Sequence, residues 1–361
     1  MMNILIILVA FLVVATLVQL LRVGELLSEV KNQDVNKVTE KDNKNQSMIM
    51  TIVGILFLAS CVWQYFSWVH LMLPGASSEH GVTIDNLMAF TMILIIVVFI
   101  LLHIVLFYFI YKYRKAADND VAYYYPHNNK LELIWTIAPT IVLTVVILYG
   151  LSVWDQITNA DTSKSEVIEV YGKQFDWKAR YPGEDKTLGS YNYKLVQGLN
   201  ALGVDMDDET SLDDKVTREL HLVVDKPVLL KFRSQDIIHS AFLPHFRVQM
   251  NCVPGMSTQF AFTPNKTTEE MRSDPKIIRQ MDDLNEKINK MSEFDKMEFL
   301  KLYNKEIKDL PLEFDYVILC NKICGVNHNK MQMKVVVETQ KQYDDWLAEQ
   351  NTLSEKLLTQ K

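Results

Sequence analysis

Two cysteines, a histidine and a methionine fall within twelve residues near the C-terminus: Cys320-Asn321-Lys322-Ile323-Cys324-Gly325-Val326-Asn327-His328-Asn329-Lys330-Met331. Thiolate, imidazole and thioether are soft or borderline donors. They suit copper or zinc, and the thioether turns the set toward copper. The Cys-x3-Cys pair closes a tight loop that lets both sulfurs enter one pocket, with His328 and Met331 close enough to complete it. A zinc site would use sulfur and nitrogen alone, usually at Cys-x2-Cys spacing, and would leave Met331 idle. A disulfide between Cys320 and Cys324 would close a very small loop.

Composition narrows the function classes. The chain has 361 residues, is 49% hydrophobic and carries a net charge of -7. The acidic surplus lies mostly after residue 155, which favours a basic partner and disfavours nucleic acid. Of the four cysteines, Cys61 lies in an apolar run and reads as a buried thiol. Cys252 stands alone and reads as structural. This is no disulfide framework, and without a Cys-x2-Cys-His no c-type haem is attached.

The elements that must carry the site begin with four apolar runs, at residues 3–21, 48–73, 86–111 and 131–154. Each is long enough to cross a hydrocarbon core of about 30 Å, which takes roughly 20 residues. The first run has no Lys or Arg before Arg22, so it reads as a membrane helix and not as a signal peptide. The connections 22–47 and 112–130 are basic, with Lys31, Lys37, Lys41 and Lys44 in the first and Arg114 and Lys115 in the second. The connection 74–85 has neither Lys nor Arg. The positive-inside rule puts both basic connections in the cytoplasm, and everything after Trp154 outside.

From residue 166 the pattern changes to short alternating runs. These are Val167–Tyr171, Glu219–Val224, Val228–Phe232, Phe246–Met250, Thr258–Phe262 and Lys334–Glu338, with Asp225-Lys226-Pro227 as a turn. They read as a β-sandwich or barrel. Residues 183–218 are polar and read as a solvated loop; a calcium loop is disfavoured because the acids lack its spacing and terminal Glu. Residues 265–313 read as a helical hairpin. Ser273-Asp274-Pro275 starts one helix, bearing Ile277, Met281, Leu284, Ile288 and Met291. Ser292 with Asp295 caps a second, carrying Met297, Leu300 and Ile307. Thr339 with Gln342 forms a capping box for a terminal helix whose Tyr343, Trp346 and Leu347 share one face.

The Cys320 stretch resembles the binuclear copper A motif of subunit II of haem-copper cytochrome c oxidases, Cys-x3-Cys-x3-His-x2-Met. A second histidine of that family comes from an earlier Asp-x2-His-Ser segment, here Asp236-Ile237-Ile238-His239-Ser240. Glu132-Leu133-Ile134-Trp135-Thr136-Ile137-Ala138-Pro139 is similar to the family's Glu-x2-Trp-Thr-x3-Pro at the start of its second helix. The resemblance runs from about residue 86 onward. It implies a cupredoxin-type Greek-key barrel behind a two-helix anchor. The implied organisation is an extra membrane helix and cytoplasmic loop at 1–47, a second extra helix and outer loop at 48–85, the two-helix hairpin at 86–158 and an extracytoplasmic copper domain at 159–361. The extra helices are expected to pack against other membrane subunits or a partner complex.

The resemblance also implies roles. Cys320 and Cys324 bridge two coppers, and His239 and His328 each bind one. Met331 and the Lys322 carbonyl are weaker ligands, with Met333 the runner-up thioether. Electrons come from cytochrome c or a bound donor complex and pass to haem in subunit I, in a bacterial-type inner membrane. His245, His221 and His103 read as ordinary histidines. Glu132 corresponds to a residue near the mouth of a proton channel. Asp236 either adds to a docking face or orients the copper loop.

Three positions depart from the family. Lys322 replaces a Glu that helps hold an interfacial magnesium ion, so this chain supplies no side chain there. The aromatic run Gln-Trp-x-Trp reads Gln174-Phe175-Asp176-Trp177, placing Phe175 at the electron-entry position and Trp177 at that of the second, structural Trp. Met256 replaces an Arg after Val-Pro-Gly. A quinol oxidase subunit would lack the cysteines, and a nitrous oxide reductase would need more than the eight histidines present. An extracytoplasmic copper-binding or assembly protein is the alternative from another class.

Overall fold

The computed structural model describes residues 2–30, 38–117, 120–159, 161, 163–198, 200–303 and 305–358. Lys31 and Lys37, counted above in the first basic connection, lie outside the described residues. Four long apolar helices come first: α1 (Met2–Val30), α2 (Glu40–Trp68), α3 (Glu79–Lys112) and α4 (Asn129–Thr158). Each is long and apolar enough to cross a membrane. The helices outrun the apolar runs because charged residues with good helix propensity extend their ends. At α2, Thr39 and Asp42 form a capping box, which starts the helix well before Met48. At α4, the Asn128 side chain accepts from the Leu131 N–H at 3.1 Å, and the Glu132 carboxylate accepts from the Asn128 N–H at 3.4 Å.

The chain divides into two compact units, residues 1–71 with 93–132 and residues 72–92 with 133–361. Within the first, α2 lies against α3: the Phe107 ring occupies the space a side chain at Gly54 would need. Phe57 also packs on Phe99 and His103, at centroid distances of 6.0 and 5.5 Å. His103 bonds the Phe99 carbonyl at 2.7 Å through Nδ1. It is an ordinary helix histidine, as the sequence suggested.

The second unit holds residues 79–92 of α3 and 133–158 of α4 together with a β-barrel, so the barrel's compact unit reaches into the helices beyond the 158/159 division. Val153 and Ile157 of α4 are buried in the barrel's main core. Arg247 forms a two-point ion pair with Asp85 of α3, at 2.7 and 2.9 Å, and donates to the Pro74 carbonyl. Ser78 bridges Pro264 as an added edge.

The barrel is of the cupredoxin type, with ten strands in two sheets among the described residues. They are β1 (Glu166–Lys173), β2 (Asp176–Tyr181), β3 (Lys215–Thr217), β4 (Leu220–Val223), β5 (Val228–Ser234), β6 (His239–Leu243), β7 (Val248–Cys252), β8 (Thr258–Phe262), β9 (Tyr316–Cys320) and β10 (Gln332–Glu338). One sheet has the order β3-β2-β1-β5-β8 and the other β4-β10-β9-β6-β7. The turn at Asp225-Lys226-Pro227 therefore carries the chain from one sheet to the other. Alternation places Tyr316, Ile318 and Cys320 of β9, and Met333, Val335 and Val337 of β10, on the buried face.

Residues 183–218 depart from the expected solvated loop. Leu202 and Val204 are buried with Tyr171 and Leu353 in a small separate core. Asp214 is wholly buried and lies 3.3 Å from Arg180. Burial drives the Asp214 carboxyl up to about 7, against the pull of Arg180. Glu169 joins Arg180 at 3.5 Å and Arg233 at 2.6 Å in the same buried network.

The 265–313 insertion is helical, as α5 (Thr268–Arg272), α6 (Pro275–Asn289) and α7 (Glu293–Leu302). Asp274 and Ser292 cap α6 and α7. Ile288, Leu300 and Leu312 form their core. Met297 is exposed, and Ile307 lies in a 3-10 turn beyond α7 because the helix ends at Leu302. The capping box at Thr339 opens α8 (Gln340–Ala348), with a short α9 (Leu353–Leu358) after it. Tyr343 of α8 is buried, and Trp346 stacks on His221 at 3.6 Å.

Candidate metal centre

The site forms where the second sheet ends. Antiparallel pairing of β6 with β9 sets Ala241 opposite Cys320, which brings His239 beside a cysteine 81 positions away in the chain. The loop between β9 and β10 then carries Lys322, Cys324, His328 and Met331 across the same end. His239, Cys320 and Cys324 present ligand atoms that all lie within 4.8 Å of one another, and all three are buried.

The two sulfurs are 3.8 Å apart. Cys320 Sγ lies 3.7 Å from His239 Nδ1 and 3.2 Å from the Lys322 carbonyl oxygen. Cys324 Sγ lies 3.4 Å from His328 Nδ1 and 3.8 Å from Met331 Sδ. Each thiol thus has its own imidazole and one weaker donor. Met333 is buried among core residues two positions along β10, so the thioether at the site is Met331.

Burial alone would raise both thiols. Hydrogen bonds with His239 and with the backbone bring Cys320 down to about 6. Burial, and then the adjoining Cys320 sulfur, push Cys324 up to about 12. The pair releases one proton readily and resists losing the second. A cation binding between the sulfurs would favour the doubly ionised form.

The surrounding groups orient the donors. Asp236 Oδ1 is 2.9 Å from His239 Nε2, which leaves Nδ1 turned to Cys320. Asp236 Oδ2 accepts from the Gln174 N–H at 2.7 Å. Of the two roles considered for Asp236, the structure supports orientation. Phe175 is partly buried and lies over the 324–331 loop: a Cβ at Gly325 would stand 2.9 Å from Phe175 Cζ, and Gly325 has φ +133°. Trp177, the second aromatic of the run 174–177, is wholly buried. It stands edge-on to His239 and points Nε1 at the Met331 carbonyl, 3.4 Å away. It is therefore a wall of the site, and no donor can touch it directly. Lys322 is exposed and turns only its carbonyl inward. Glu132 is exposed at the start of α4, far along the chain from these groups.

Two further histidines of the barrel have structural surroundings. His221 bonds Glu338 at 2.7 Å and Glu219 at 3.3 Å. His245 packs edge-on to Phe314 and Tyr316, and burial lowers it to about 4. The contact that sequence reasoning missed is the one from the Gln174 side chain to the Cys324 carbonyl. Its only signal was the Gln heading the aromatic run.

Fold and site define a membrane-anchored protein with a cupredoxin-type domain and a paired-cysteine metal site. Residues 66–153 match the family model described as cytochrome c oxidase subunit II, transmembrane domain. An alternative cytochrome c oxidase subunit 2 from Bradyrhizobium diazoefficiens is 28% identical over 260 residues, covering 71% of this chain and 76% of the relative. A cytochrome c oxidase subunit 2 from Synechocystis is 21% identical over 325 residues, covering 84% of this chain and 82% of the relative. Among solved structures, the periplasmic domain of subunit II of the Bradyrhizobium japonicum cytochrome oxidase is 18% identical, with a TM-score of 0.28, covering 50% of this chain and 90% of that one. Residues 66–153 thus carry the transmembrane domain of the cytochrome c oxidase subunit II family, and the chain as a whole is similar to cytochrome c oxidase subunit 2 proteins.

Proposed function

We propose that this subunit takes electrons from cytochrome c, or from a donor complex held nearby, at a binuclear copper A centre, and delivers them to haem in the catalytic subunit. The observation that carries this is the pair of sulfurs 3.8 Å apart, each with its own imidazole and a weaker donor. When bound, a copper pair supplies a one-electron couple whose charge is spread over both thiolates.

The chain's own residues keep that couple from rearranging. Cys320, at the end of a paired strand, cannot shift without disturbing the sheet. His239 is held from behind by Asp236, and His328 sits in a 3-10 turn, His328–Lys330, that follows Gly325. Burial of His239, Cys320, Cys324 and Met331 keeps bulk water from the donors. Ligands that are fixed in advance need little movement when an electron arrives. Phe175 is the partly exposed aromatic group over the loop and is the candidate contact for the donor. The basic connections 22–47 and 112–130, set against a connection 74–85 without Lys or Arg, support an extracytoplasmic barrel. Glu132, at the cytoplasmic end of α4 on that topology, is the candidate carboxylate at a proton-channel mouth. Slower proton uptake in E132Q would bear that out, and unchanged pumping would remove it.

Electron paramagnetic resonance with copper quantitation on the purified oxidase tests the main reading. Two coppers in this subunit sharing one unpaired electron are expected, with loss of that signal in C320S. A single exchangeable copper would point instead to copper handling, and zinc alone to a structural site.

A further inference from the structure

We propose that Gln174 is a positioning residue that clamps the two ligand-bearing loops together, its main-chain N–H donating to Asp236 and its side-chain N–H to the Cys324 carbonyl. This rests on the copper reading above.

Gln174 and Phe175 form the two-residue turn between β1 and β2. Those strands belong to the first sheet, whereas every candidate ligand comes from the second sheet or its loops. The turn therefore reaches across the barrel's end. The Gln174 N–H donates to Asp236, whose other oxygen holds His239. The Gln174 side chain donates through Nε2 to the Cys324 carbonyl at 2.5 Å. Three residues on, the Trp177 N–H reaches the Met331 carbonyl at 3.4 Å. One hairpin thus bonds to the segments that present His239, Cys324 and Met331.

Gly325 makes the approach possible. A Cβ there would stand 3.0 Å from Gln174 Nε2. The Cys324–Gly325 peptide has no other restraint from a strand ladder, because β9 ends at Cys320 and β10 begins at Gln332. Gln174 supplies the missing bond.

The test uses the intact oxidase with Gln174→Met and Gln174→Lys. Methionine keeps the length and removes the donor, whereas lysine keeps a donor and reaches as far. Copper hyperfine structure, the copper absorption bands and the rate of copper loss to a chelator are compared with wild type. Gln174→Met is expected to shift the hyperfine pattern and speed copper loss about tenfold, the range typical of lost outer-sphere contacts. Gln174→Lys is expected to restore both. A wild-type spectrum and chelation rate in Gln174→Met would overturn the clamp. Failure of Gln174→Lys alongside Gln174→Met would also overturn it, because the site would then need the shape of glutamine and not its donor. A wild-type oxidase lacking the two-copper signal would defeat the copper reading first, and the clamp with it.

Discussion

The Asp236 carboxylate lies 2.9 Å from His239 Nε2, on the side of the ring away from Cys320. That contact decides which nitrogen faces the sulfurs. A carboxylate behind a ligating imidazole fixes the ring and raises its basicity, and removing such a partner typically costs 10–100-fold in metal affinity. D236N is therefore expected to weaken copper retention about 10–100-fold while the domain stays folded. Chelator competition on purified oxidase measures it. Retention equal to wild type would show that Asp236 does not orient the ligand.

Met331 and Met333 separate by a spectroscopic comparison. Both are buried, but only Met331 has its sulfur near Cys324, at 3.8 Å. Leucine conserves volume, and such a swap usually costs less than about 1.5 kcal/mol. M331L should change the copper spectrum with little loss of stability, and M333L should leave the spectrum alone. The reverse pattern would reassign the thioether.

His221 gives a pH dependence remote from the metal. Burial works against its charge, but Glu219 and Glu338 outweigh that, so its pKa is raised above 6.5 in the folded chain. A histidine raised on folding contributes stability that is complete below its unfolded pKa and is lost as pH rises through the folded value. Thermal stability should thus fall from about pH 6.5 upward, and H221Q should remove this component. Scans of wild type and H221Q between pH 5.5 and 8.5 that run parallel would contradict the assignment.

Glu169 bonds Arg233 at 2.6 Å and sits 3.5 Å from Arg180, all three being buried. Arg233 also lies 3.4 Å over the Tyr191 ring, which ties the 183–218 segment to the barrel. Removing Glu169 leaves the buried Arg233 without its carboxylate and Arg180 with Asp214 alone. E169L is expected to cost about 3–5 kcal/mol, the range for breaking a buried pair. Denaturant unfolding of the solubilised protein would show it as a lower midpoint; an unchanged midpoint would mean that water relieves the arginines.

What the sequence determined by itself was local. Donor types in the Cys320–Met331 stretch have a spacing that one loop can satisfy, so their chemistry was legible without coordinates. The four spans were legible because hydrophobic length is additive along a helix, and the caps at Asp274, Ser292 and Thr339 because capping acts over three residues. Only the tertiary structure decided the rest. His239 reaches Cys320 through strand pairing across 81 positions, which depends on sheet register. Asp214 looked like one solvated acid among several. It is buried because Arg180, on a strand of the other side of that segment, is there to meet it. Gln174 sits in a turn of the first sheet and meets the Cys324 carbonyl of a loop of the second only because the two sheets end side by side. No periodicity encodes such a meeting, because it depends on where two separately formed sheets end when they pack.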